Sequence, residues 1–159
     1  MNRRYQAMTE SATERTAAGA LGADALDFWL GDWQLEWDPD GHGTNAIQRI
    51  LDERVVEETF VGHDADGTLR GRSVSVLDPA DGRWHQTWVD STGTYLEFAA
   101  VEVDGRIAFR RETTREGRPI SQRMVWLDVQ ADRLRWEWQR SVDGGETWDL
   151  VWAIRYRRA

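Results

Sequence analysis

The chain contains no cysteine and no lysine. The first absence excludes disulfides, thiolate metal ligands and cysteine nucleophiles. It leaves the redox compartment open, although small secreted domains more often carry cysteines. The second absence excludes Schiff-base chemistry and a lysine general base. All 20 basic residues are therefore arginine. Long apolar runs are also missing, and none approaches the length of a membrane span. Arg3-Arg4 is not followed by the apolar segment that a Sec or twin-arginine signal requires. A formal charge of -8 opposes nucleic acid or an anionic membrane as a partner. There is no P-loop, dinucleotide fingerprint or nucleophile elbow. The reading is a cytoplasmic protein with no cofactor and no metal; its oligomeric state is left open.

What is abundant is tryptophan, with ten residues in 159. Each buries roughly 150–250 Å² when interior. Two explanations compete: a core built from tryptophan, or an aromatic cavity for an apolar or aromatic ligand. The length suits one domain that can bury a core without covalent staples.

Residues 1–23 are rich in Ala, Thr and Glu and poor in large apolar residues, which predicts a disordered or helical arm. Residues 24–159 form the domain. Asp24 to Leu30 reads as a short helical turn, with Asp24 as N-cap and Gly31 as stop. Period-two alternation follows, beginning with Trp33, Leu35 and Trp37. Strands are expected over 44–51, 54–60, 69–77, 83–90, 94–103, 106–113, 120–129, 133–141 and 147–157, with His42 and His63 in loops. Five Asp-Gly dipeptides fall in the connections. About ten antiparallel strands in an open sheet would leave two exposed edges, and closure removes them. The expected fold is all-β: a single antiparallel up-and-down barrel closed at one end by the N-terminal turn, with a two-sheet sandwich as alternative.

The turn leading into Gly31-Asp32-Trp33 resembles the Gly-x-Trp start of calycin barrels, the group of lipocalins and fatty-acid-binding proteins. With Phe28-Trp29 ahead of it and Asp143-Gly144-Gly145-Glu146-Thr147-Trp148 near the C-terminus, the chain is similar to bacterial lipocalin-like proteins over roughly 27–158. The resemblance implies that Trp33 sits at the closed end against an arginine of the last strand, for which Arg155 and Arg157 are the candidates. It supplies no agreed activity. Ser141 to Trp148 also resembles the Asp-box hairpin of sialidase propellers. One copy cannot make a propeller, so it reads as a turn device.

Short hairpins fix register. Asp104-Gly105 as a two-residue loop places Leu96, Phe98, Ala100, Ile107, Phe109 and Arg111 inside, and Glu97, Arg110 and Glu112 outside. Ala131-Asp132 as a two-residue loop pairs Leu127 with Trp136 and Val125 with Trp138, and sets Arg123 opposite Arg140 on the inner face. A three-residue turn at 143–145 aligns Trp138 with Leu150 and Trp136 with Trp152. For 84–90 both faces stay open: a two-residue turn points His85 inward, a three-residue turn points Trp84, Gln86 and Trp88 inward.

These registers gather Arg111, Arg123 and Arg140 near the end away from Trp33. The candidate ligand-binding residues are Phe98, Phe109, Arg111, Arg123, Trp136, Trp138, Arg140 and Trp152. Arginine suits a carboxylate or polarised oxygen through bidentate contacts, and fatty-acid-binding proteins use an interior arginine in this way. The leading expectation is binding of a small apolar or acidic organic molecule. A cofactor-independent isomerase or cyclase is the alternative, with His85 moving a proton and Arg123 steadying a developing enolate. A third reading is a structural or interaction protein whose barrel is filled by tryptophan. Haem is disfavoured because no histidine follows His85, and zinc because three scattered histidines lack ligand spacing.

Overall fold

The computed structural model describes residues 14–15 and 21–159. A two-residue strand, β1 (Glu14–Arg15), precedes a 3₁₀ turn at Asp27–Trp29 and ten barrel strands. These are β2 (Gly31–Trp37), β3 (Gly41–Ile50), β4 (Val55–Asp64), β5 (Gly67–Asp78), β6 (Arg83–Asp90), β7 (Tyr95–Val103), β8 (Arg106–Arg115), β9 (Arg118–Leu127), β10 (Arg133–Ser141) and β11 (Asp149–Arg158). Each pairs antiparallel with its neighbours in sequence, and β11 pairs with β2, so the sheet closes. The up-and-down barrel expected from the alternation is the observed fold. Closure satisfies the backbone groups that an open sheet would leave at its edges.

The alternation works as the sequence implies. In β2, Trp33, Leu35 and Trp37 are buried while Gln34 and Glu36 are exposed. Four of the five Asp-Gly glycines adopt positive φ: Gly67, Gly82, Gly105 and Gly144. Gly41 does not; it lies in β3, where a Cβ would fall 1.9 Å from Trp37 Nε1. That glycine is needed for close approach of an indole.

At the closed end the Trp33 indole donates to the Trp29 carbonyl at 2.8 Å. The arginine over Trp33 is Arg158, 3.9 Å from the ring centroid. Neither Arg155 nor Arg157 takes this place. Both lie on the outer face, where Arg155 meets Asp38 at 3.3 Å. Arg158 follows Ile154 and Tyr156 on the inner face and lies opposite Trp33 in register. Its guanidinium donates to the carbonyls of Phe28, Leu30 and Ala131. The 3₁₀ turn is capped by Leu26 rather than Asp24, with no side-chain cap. Asp27 instead accepts from Arg49.

Three further expectations are corrected. His42 and His63 are strand residues paired across β3 and β4, not loop residues. β11 carries a bulge that aligns Trp138 with Trp152 and Trp136 with Ile154. The two-residue turn at Ala131-Asp132 forms, with Gln130 N–H donating to the Arg133 carbonyl at 2.8 Å, but an extra residue on the β9 side beside Asp128, which adopts positive φ, shifts the register, so Leu127 pairs with Arg135, Trp126 with Trp136 and Met124 with Trp138. A one-residue slip reverses both faces of a strand. Trp126 and Met124 therefore point inward, and Arg123 outward. The expected arm, residues 1–23, falls mostly outside the described residues; within it Glu14 and Arg15 pair with Val103 and Glu102. No helix among the described residues is long and apolar enough to cross a membrane.

Candidate functional site

The barrel interior divides into a packed half and an open half. Below, Trp29 meets Trp126 edge-on at 5.1 Å, Phe109 meets Trp126 at 6.1 Å, and Leu26, Trp33 and Ile107 complete the packing. Above them lies a cavity of about 370 Å³, within the roughly 300–1,000 Å³ of small-molecule sites. Its walls include Phe60, Trp88, Phe98, Trp136, Trp138 and Trp152. The rings meet edge to face: Phe98 with Trp138 at 5.7 Å, Trp136 with Trp152 at 5.7 Å, Phe60 with Trp88 at 6.0 Å. Such pairing holds each ring by its neighbours.

Three polar side chains, Arg111, Gln122 and Asp90, line the upper wall. Arg111 comes from β8 and donates Nη1 to Gln122 Oε1 at 2.5 Å. Its buried Nε has no hydrogen-bond partner. Asp90 accepts from the Trp88 indole at 2.9 Å and from Thr92. Burial opposes its charge, but the Thr92 and Trp88 hydrogen bonds outweigh that and hold its carboxyl below the usual value. Asp90 is thereby a fixed anion that also orients Trp88.

The lower part of the cavity carries a polar cluster that the sequence reading missed. Glu58 of β4 is buried and lines the cavity. Its two oxygens accept from Asn45 Nδ2 at 2.6 Å and Ser73 Oγ at 2.8 Å. Burial pushes its carboxyl up from the ordinary value against those two hydrogen bonds. Asn45 Nδ2 also donates to the Tyr156 hydroxyl at 3.0 Å. Burial and the nearby Glu58 push the Tyr156 phenol up as well. Trp29 lines the cavity too, and its indole Nε1 has no hydrogen-bond partner. The available signal was parity: Glu58 alternates with Val56 and Phe60, both buried. An acid in phase with two core residues points inward.

The expected site residues separate into three groups. Phe98, Arg111, Trp136, Trp138 and Trp152 line the cavity. Phe109 is fully buried beneath it, against Trp126. Arg140 has the inward parity of Gln122 but sits at the rim, 37% exposed and 4.0 Å from Asp149. Arg123 and His85 are on the outer face. Arg123 follows the cavity residue Gln122 and precedes Met124, so it must face out. It donates to Gln139 at 2.7 Å and Glu14 at 2.9 Å, with its guanidinium 4.0 Å from the Trp148 ring centroid. The three-residue turn at 91–93 puts Trp84, Gln86 and Trp88 inward and His85 outward, 2.7 Å from Asp81.

Ser141 to Trp148 forms the expected turn device. Asp143 accepts from Ser141 Oγ at 2.7 Å and from both the backbone and hydroxyl of Thr147. These bonds, Thr147 first, hold its carboxyl well below the usual range. Trp148 then packs under Arg123, outside the barrel. At the β5–β6 turn, ligand atoms of Asp78, Asp81 and His85 lie within 4.8 Å of one another. Asp78 and Asp81 are already engaged there in capping the backbone of Ala80 and Arg83.

Chemically, the cavity can hold an apolar body by its rings and an anionic or polarised oxygen by Arg111. Neither His85 nor Arg123 can reach a molecule inside it. Comparison with protein-family models and with curated proteins finds no match for the chain.

Proposed function

We propose that the upper half of the barrel binds a small apolar or aromatic molecule bearing a carboxylate or polarised oxygen. The observation that carries this reading is the buried Arg111 Nε, left without a partner in a wall of aromatic rings. A buried cationic donor lacking a partner costs about 1–3 kcal/mol. A small turn of the side chain toward the cavity lets a ligand oxygen meet the guanidinium, which removes the cost and gains a charge-assisted bond. The aromatic walls supply area for an apolar body. The same reading takes the barrel as calycin-like, supported by Trp33 beneath Arg158 at the closed end. The isomerase or cyclase alternative loses both residues that the sequence offered for it.

Tryptophan fluorescence reports occupancy directly, because Trp29, Trp88, Trp136, Trp138 and Trp152 line the cavity. Titration with phenylalkanoic acids is expected to change the emission saturably. Arg111→Met is expected to weaken the acids roughly tenfold or more, for a lost charged hydrogen bond of about 1.5–3 kcal/mol, while the corresponding alcohols keep their affinity. An equal loss for acids and alcohols would place the carboxylate elsewhere. No response from any of these ligands would end the reading.

A further inference from the structure

The cluster around Glu58 has an orientation that the binding reading does not use. Asn45 Nδ2 has two hydrogens, and both are committed, one to Glu58 and one to Tyr156. The Tyr156 hydroxyl oxygen therefore accepts from Asn45, and its own hydrogen is directed elsewhere. Among the described residues no acceptor receives that hydrogen. The Trp29 indole N–H is directed at the same hydroxyl oxygen, outside ordinary hydrogen-bonding geometry. Trp29 is 1% exposed and Tyr156 3% exposed, yet both line the cavity. One buried donor, the Tyr156 O–H, is thus left without an acceptor in the cavity that both residues line.

We propose that the Tyr156 O–H forms a second binding subsite that takes a neutral acceptor oxygen, a ketone or similar carbonyl, from a ligand whose acid is held by Arg111. Glu58 and Asn45 are positioning residues: the chain Ser73–Glu58–Asn45–Tyr156 fixes which way the phenol hydrogen turns. The ligand class becomes an oxo-carboxylic acid with an apolar or aromatic body, entering carbonyl first. This rests on the binding reading and deepens it. The floor also selects against the opposite orientation. A carboxylate there would lie beside Glu58, whose carboxyl burial already keeps from ionising readily, and away from the one cation on the cavity wall among the described residues, Arg111. Donors without acceptors discriminate strongly for a ligand that supplies one, because the analogue lacking it leaves them unpaired.

The test compares two matched probe series on the full chain: ω-benzoylalkanoic acids and the phenylalkanoic acids of equal chain length, each over several lengths, read by tryptophan fluorescence and calorimetry. At the chain length that spans the cavity, the benzoyl acid is expected to bind about fivefold tighter than its carbonyl-free partner, for one added hydrogen bond of ordinary strength. Tyr156→Phe is expected to remove most of that preference and to leave the phenylalkanoic acid unchanged. Equal affinity of both series at every length overturns the second subsite and leaves the binding reading standing. An equal loss for both series in Tyr156→Phe also overturns it, because it marks packing rather than hydrogen bonding. Failure of both series to bind overturns the subsite and the binding reading together. The comparison on the unaltered protein decides the matter even if Tyr156→Phe does not fold.

Discussion

Arg158 and Arg111 both point into the barrel, one at each end, and they are treated in opposite ways. Arg158 is covered by Trp33 and donates to three carbonyls around the 3₁₀ turn and the β9–β10 loop. Arg111 has Gln122 on one side and a buried, unpartnered Nε on the other. The tryptophans divide likewise. Trp33 donates to a backbone carbonyl and is packed on every side, whereas Trp136, Trp138 and Trp152 border empty space. The same residue types close one end and leave the other unfinished. The Trp126 indole in the packed half also lacks a partner, so what distinguishes Arg111 is a cationic group without a full set of partners on the wall of a cavity.

The largest expected effect that would sharpen this contrast is at the closed end. Trp33→Ala removes a fully buried indole and should cost about 3–5 kcal/mol, read as a lower midpoint in urea. Arg111→Met, at the open end, should not lower stability, because it removes a buried donor without a partner, while weakening acid ligands. Reversed outcomes, with Arg111 carrying stability and Trp33 dispensable, would break the comparison.

How far these two ends were legible in the sequence differs for physical reasons. β2 announced its faces because one side of it is polar, and β7 and β8 were set in register by Asp104-Gly105, which formed the two-residue loop that its sequence implies. β9 did not announce its faces. Met124 and Trp126 are buried inside the barrel, and Arg123 and Val125 are buried on its outer surface. With both faces buried, alternation disappears and nothing local reveals a bulge. One extra residue beside Asp128, ahead of the turn, set Arg123 outward and removed an expected pair of opposed arginines. The closing arginine was misplaced for a related reason: Arg155, Arg157 and Arg158 lie close together in sequence, and only the parity of Ile154 and Tyr156 separates them. Glu58 was passed over because an acid in a strand is usually solvated. Its parity with Val56 and Phe60 was the available signal, and its partners Asn45, Ser73 and Tyr156 come from three other strands that no local pattern links.

A smaller effect separates the polar floor from both ends. The raised Glu58 pKa means that the folded chain holds a proton that the unfolded chain releases. Stability contributed by that proton is complete below the ordinary glutamate value of 4.5 and is lost as pH rises toward the folded value. The group facing Glu58 that titrates is Tyr156 on β11, which stays neutral across this window because its own pKa is raised. Glu58→Gln should remove the slope, so its stability relative to the unaltered chain should rise with pH above that value. Urea unfolding of both chains at acidic and neutral pH checks the sign. Identical pH profiles would show that Glu58 ionises as freely in the folded chain as in the unfolded one.

The most direct measurement is a crystal structure grown with a phenylalkanoic acid. The ligand is expected between Phe98, Trp136, Trp138 and Trp152, with a carboxylate oxygen within hydrogen-bonding distance of the Arg111 guanidinium. A cavity closed by inward rotation of those tryptophans, with the acid bound only on the outer surface, would contradict the assignment of the open end as a binding site.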